Sequence, residues 1–128
     1  MYEVSQFCKL LAYTRNENSE LATIAGLLHD CYRHSSGISH NHAIEGAVLV
    51  EKVLKPKKSL FDPKEIEQIC QMISRHSEKK VVHDPLDEIL KDADVLSHYI
   101  ASPFSQISNE ENWRLTNILY ELIQKNNS

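Results

Sequence analysis

The segment Ile24-Ala25-Gly26-Leu27-Leu28-His29-Asp30 ends an apolar run on a His-Asp pair. Leu21, Ile24, Ala25 and Leu28 recur at the spacing of one helix face, so the run faces a core. A polar pair behind such a run costs desolvation energy unless something compensates it. A bound metal ion is the compensation this pattern suggests. Lys91-Asp92-Ala93-Asp94-Val95-Leu96 has the same character and belongs beside it.

Outward from this segment, start and stop signals divide the 128 residues into about six helices, with no convincing alternating strand. Residues 2–14 form the first, with Val4, Phe7, Cys8 and Leu11 on one face. Ser19 is the expected cap of the second, which runs to about Cys31. Ser35-Ser36-Gly37 is a loop, and a third helix begins between His40 and His42 and runs to Leu54. Asp62-Pro63-Lys64-Glu65 opens the fourth with an Asp cap, a Pro at the first position and a Glu at the third. Asp84-Pro85-Leu86-Asp87 repeats that logic for the fifth. Ser108-Asn109-Glu110-Glu111 has the form of a capping box and opens the last, through about Gln124. The expected fold is all-α: a compact orthogonal bundle of about six helices in a single domain, residues 1–128.

Composition narrows the function classes. With 41% hydrophobic and 25% charged residues, the chain builds a core without disulfide staples. A net charge of −4 leaves no footprint for nucleic acid or an anionic membrane. Lys55-Pro56-Lys57-Lys58 reads as a solvated loop. Cys8, Cys31 and Cys70 are odd in number with no Cys-x-x-Cys, which argues against a disulfide scaffold and a zinc finger. Cys8 and Cys70 fall within apolar stripes, where Cys acts as a small hydrophobe. No signal-peptide pattern or membrane-length apolar segment occurs, so the expected location is the cytoplasm.

Four helices each carry a metal-type ligand toward the interior. His29 shares a face with Ala22 and Ala25; His42 lies one turn before Gly46, followed by Leu49 and Val53. His76 extends Ile66, Ile69, Cys70 and Ile73, and Asp94 extends Leu86, Leu90 and Ala93. A lone His on an apolar face is usually a hydrogen-bonded core residue, and His29 would also suit a helix C-terminus. Four such residues together fit a metal site built from facing helices better. Imidazole with carboxylate suits iron, manganese, zinc, nickel or cobalt, and the lack of thiolate ligands disfavours structural zinc.

With these residues in place the chain resembles the HD-domain superfamily of metal-dependent phosphohydrolases. Leu27-Leu28-His29-Asp30 is similar to the His-Asp motif and Asp92-Ala93-Asp94-Val95-Leu96 to the distal Asp segment. His42-Ala43-Ile44-Glu45-Gly46-Ala47 is similar to the His-x-x-x-Gly-Ala segment, and Ile73-Ser74-Arg75-His76 to the next histidine. The resemblance spans about residues 1–100 and leaves the last helix unmatched. It implies His29, Asp30 and Asp94 as ligands of a principal divalent metal, magnesium being a further candidate. Asp30 would bridge a second ion, with His42 and His76 as the histidines of two-metal members. Arg33, where many relatives have Lys, would hold a substrate phosphate, or else be a solvated residue at a helix end. Asp92 is the rival to Asp94, and His40 to His42. His98, one turn after Asp94, is placed for a hydrogen bond to that carboxylate, whereas His34 and His83 are expected to face solvent.

The implied activity is hydrolysis of a phosphomonoester or phosphodiester, of a nucleotide or similar small molecule, by metal-activated water. The family's first His would fall immediately before Met1, four positions ahead of Val4. The abrupt helical start at Met1-Tyr2-Glu3-Val4 suggests a chain begun one residue late. The alternative is a degenerate domain, catalytically impaired, acting as a nucleotide-binding or regulatory module.

Overall fold

Asn16 sits at a positive φ of 57° and stops the first helix. It does so in a computed structural model that describes residues 2–30, 42–57, 59–103 and 106–126. Among them are six helices and no strand: α1 (Tyr2–Thr14), α2 (Ser19–Leu28), α3 (His42–Leu54), α4 (Pro63–Arg75), α5 (Pro85–Ala101) and α6 (Asn109–Asn126). The protein is all-α, as expected. After α1, Glu17 N–H donates to Ala12 O at 2.8 Å and Asn16 N–H to Tyr13 O at 3.4 Å, the paired bonds of a Schellman stop. Asn tolerates the left-handed conformation such a stop requires.

The α2 cap is Asn18 rather than Ser19, because the Asn18 side chain accepts from Leu21 N–H at 3.0 Å. The helix also stops earlier than expected, at Leu28, with His29 as its C-cap. Asp62 and Glu65 exchange reciprocal backbone bonds of 2.9 and 3.0 Å to open α4. Asp84 N–H donates to Asp87 before α5, and Ser108 accepts from Glu111 N–H before α6. On α3 the inward stripe is Ala43, Gly46, Ala47, Val50 and Leu54, rotated from the expected one; Val53 is exposed. His42 belongs to the first turn, and the helix drifts away from it. No helix of the described residues is long and apolar enough to cross a membrane.

Helix α5 lies at the centre, packed against α1, α2, α4 and α6. Its apolar residues Ile89, Leu90, Ala93 and Leu96 join Val4, Cys8 and Leu11 of α1, Ala22 and Ala25 of α2 and Ile69 and Ile73 of α4 in one core. Because α5 is enclosed on several sides, it also buries Asp87, Lys91 and Asp92. Such charges persist inside only when paired and hydrogen-bonded. Arg114 of α6, itself buried, donates to Glu88 at 2.7 Å and to Asp92 at 3.0 Å. Arg15 bonds the other oxygen of Asp92 at 2.8 Å and also pairs with Glu121. Lys91 Nζ reaches Glu88 at 2.8 Å and Val81 O at 2.7 Å. It also donates to His83 Nδ1 at 2.7 Å, so His83 is half-buried and partnered rather than solvent-facing.

Two expectations follow from this packing. A Cβ at Gly26 would lie 2.8 Å from Ser5 Cα and 3.0 Å from Cys8 Sγ, so α1 backbone must move to admit it. Gly26→Ala should therefore destabilise the fold by about 1–3 kcal/mol in urea titrations. Burial opposes ionisation of Glu88, but His83 N–H, Lys91 and Arg114 outweigh it and lower its pKa. That stabilisation is present above the ordinary carboxyl pKa of about 4.3 and drains away as pH falls through the lower folded value. Glu88→Gln should be less stable at neutral pH and lose less of its stability on acidification, as read from denaturation midpoints.

Candidate metal centre

Two helices end in the same way at the site. His29 is the C-cap of α2 and His76 the C-cap of α4, both with helical backbone angles. His29 Nδ1 lies 2.7 Å from Gly26 O and His76 Nδ1 lies 2.6 Å from Ile73 O. A carbonyl oxygen only accepts, so each Nδ1 carries the proton. Each bond satisfies a carbonyl at a helix end and leaves the ring's Nε2 lone pair facing its neighbours when the imidazole is neutral. Both rings are buried.

Asp30, directly after α2, stands between these rings. Its Oδ2 is 3.4 Å from His29 Nε2, whereas its Oδ1 is 3.5 Å from His42 Nε2 and 3.8 Å from His76 Nε2. His42 reaches in from the first turn of α3, with its Nε2 3.2 Å from His76 Nε2. Since His76 Nε2 has no proton in the neutral ring, His42 Nε2 donates this bond. On the opposite side Asp94 of α5 places Oδ1 3.6 Å from His29 Nε2. The structure thus brings together His29, Asp30, His42, His76 and Asp94 from the end of α2 and from α3, α4 and α5. Arg33 and the rival His40 lie outside the described residues, as do His34 and Cys31. Asp92 points away into the Arg15–Arg114 pairs, which separates it from Asp94. His98 does not meet Asp94; its Nδ1 pairs with Glu111 at 3.2 Å.

The electrostatics follow from crowding. Burial disfavours a charged His29, but the hydrogen bond that its ring donates to Asp94 and the charges of Asp94 and Asp30 outweigh it and raise its pKa. Burial and the neighbouring His29 push His76 down to about 4. Burial likewise opposes ionisation of Asp94, yet His29 and Lys79 hold its carboxyl far below the usual range. Lys79 was not singled out by sequence reasoning. Its Nζ donates to Asp94 Oδ2 at 3.0 Å, on the side of the carboxylate away from His29. In Arg75-His76-Ser77-Glu78-Lys79-Lys80 it reads as one of a solvated charge run, and no helical period marks it.

These donors fit a cation. His29, Asp30 and His76 present ligand atoms all within 4.8 Å of one another. Ligand atoms bound at about 2.1 Å stand roughly 3.0–3.5 Å apart around one ion. The contacts of His29 and His42 with Asp30 fall at that spacing. All-nitrogen and oxygen donors suit a borderline or hard divalent ion.

The profile of the HD domain family matches residues 1–99. The chain belongs to the HD domain family. That family is one of metal-dependent phosphohydrolases, and the matched segment carries all five clustered residues. Comparison with curated proteins and with solved structures returned no match. Helix α6 lies beyond the matched residues, yet it packs on α5 of the HD domain through Leu115 and Ile118.

In metal-free protein, long-range 1H–15N spectra should show the ring nitrogens of His76 titrating near pH 4. His29 should titrate above the ordinary histidine value of about 6.5. Coincident titration of the two rings would contradict the asymmetric placement of the carboxylates.

Proposed function

We propose that this HD domain hydrolyses a phosphomonoester or phosphodiester, of a nucleotide or similar small molecule, with one or two divalent ions held by His29, Asp30, His42, His76 and Asp94. The observation that carries the reading is the division of Asp30: one carboxylate oxygen faces His29 and the other faces His42 and His76. If two ions were held, Asp30 would serve both, with His29 and Asp94 on one side and His42 and His76 on the other.

When bound, such an ion supplies Lewis-acid polarisation of a phosphoryl oxygen and water of pKa near ~7. The chain's own residues set the geometry. Gly26 O and Ile73 O orient the His29 and His76 rings through Nδ1, fixing which nitrogen is offered. Asp30 and Asp94 supply the negative charge that favours a cation over the apolar interior. Asp30, whose carboxylate lies among the three imidazoles, is the residue that would accept a proton from an attacking water. Arg33, three residues along the chain, is assigned to the substrate phosphate by the family resemblance alone.

The test is metal analysis of untagged protein together with hydrolysis of a generic aryl phosphate. Wild type should carry metal and turn over. His29→Ala and Asp94→Ala should each abolish metal uptake; unchanged uptake in both overturns the ligand set. Metal-free protein that binds nucleotide without turnover would instead make the chain a binding module.

A further inference from the structure

Beside the ligand cluster lies a cleft of about 420 Å³ lined by Lys79, Asp94, Val95, His98 and Glu111. Asp94 forms the boundary, with Oδ1 toward His29 and Oδ2 toward Lys79. A phosphate entering here meets the carboxylates of Asp94 and Glu111. Lys79 is the lysine or arginine that lines this cleft among the described residues. Its ammonium has three N–H donors; Asp94 Oδ2 and His76 O take two, and the third has no partner among the described residues.

The turn that carries Lys79 is fastened by buried cations. Arg114 Nε donates to Lys79 O at 2.9 Å and Arg114 Nη2 to Val81 O at 3.0 Å. Lys91 Nζ adds a second bond to Val81 O at 2.7 Å. Arg114 and Lys91 are the two largest fully buried side chains, and each bonds this backbone. Neutralising Asp94 requires only a lysine in reach; a rigid mount for it is what positioning a substrate requires.

We propose that Lys79 is a substrate-binding residue that takes a phosphate oxygen with its third N–H while it remains bonded to Asp94. This rests on the phosphohydrolase reading above and adds a specific subsite to it. The cleft beyond Lys79, lined by Val95, His98 and Glu111, receives the remainder of the substrate.

The experiment titrates inorganic phosphate calorimetrically into Mn²⁺-loaded wild type, K79M, K79Q and K79R, with Mn²⁺ content measured in each. K79M and K79Q should bind phosphate about tenfold more weakly or worse, and K79R within about threefold of wild type, as loss of a charge-assisted bond predicts. The Mn²⁺ content of K79M and K79Q should equal or exceed that of wild type, because Asp94 loses a competing cation. On an aryl phosphate the loss in K79M should include a raised KM, rescued in K79R. Equal phosphate affinity in wild type, K79M and K79Q would make Lys79 only a counter-ion and overturn the proposal. Loss of Mn²⁺ from folded K79M and K79Q would make it a support for Asp94, which also overturns it. Wild type that holds Mn²⁺ and binds phosphate through Lys79 without hydrolysing any ester would sink the phosphohydrolase reading and leave the subsite standing. Wild type that binds no phosphate would sink the subsite.

Discussion

The close approach of Gly26 to the backbone of Ser5 is the contact on which the site depends. With no Cβ at that position, α2 lies against α1 closely enough that Ser5 Cα would obstruct any side chain. The Gly26 carbonyl then becomes the acceptor for His29 Nδ1, one turn along. Packing and coordination chemistry therefore meet in one residue. Displacing α2 would shift the depth of the helix in the core and the aim of the imidazole together.

A second constraint is the pairing of charge inside a small core. Asp94 and Asp92, two residues apart on α5, leave the helix in different directions and meet different cations. Asp92 is locked between Arg15 and Arg114, where one guanidinium bond to each carboxylate oxygen compensates its burial. Asp94 stays partly exposed and divides its oxygens between His29 and Lys79. The first arrangement is closed and structural. The second leaves lone pairs and an edge open to solvent, which is what a site requires.

The helices were legible from capping residues and apolar spacing, because Asp62, Asp84 and Ser108 act locally and their geometry follows from a few neighbours. The His-Asp pair stood out because a polar pair behind an apolar run needs a long-range explanation. The stop at Asn16 was not anticipated: it depends on a left-handed backbone that Asn tolerates but does not announce. The rotated stripe of α3 is not legible from His42, which does not lie in register with the buried face of Ala43, Gly46, Ala47, Val50 and Leu54. Lys79 was invisible for a different reason. It lies in a turn, and its partner Asp94 is fifteen residues away along the chain and on another element. Only the folded backbone gives a residue in a charge run a particular neighbour.

The recognisable family segment ends at residue 99, whereas Arg114, which ties Glu88, Asp92 and the Lys79 turn together, comes after it. The segment that matches the family profile is thus smaller than the part that must be present for its interior charges to be balanced. Grafting or excising this domain at the motif boundary would carry the ligands across and leave the guanidinium behind. A modular boundary for this protein is better drawn by following its buried cations than by following its motifs.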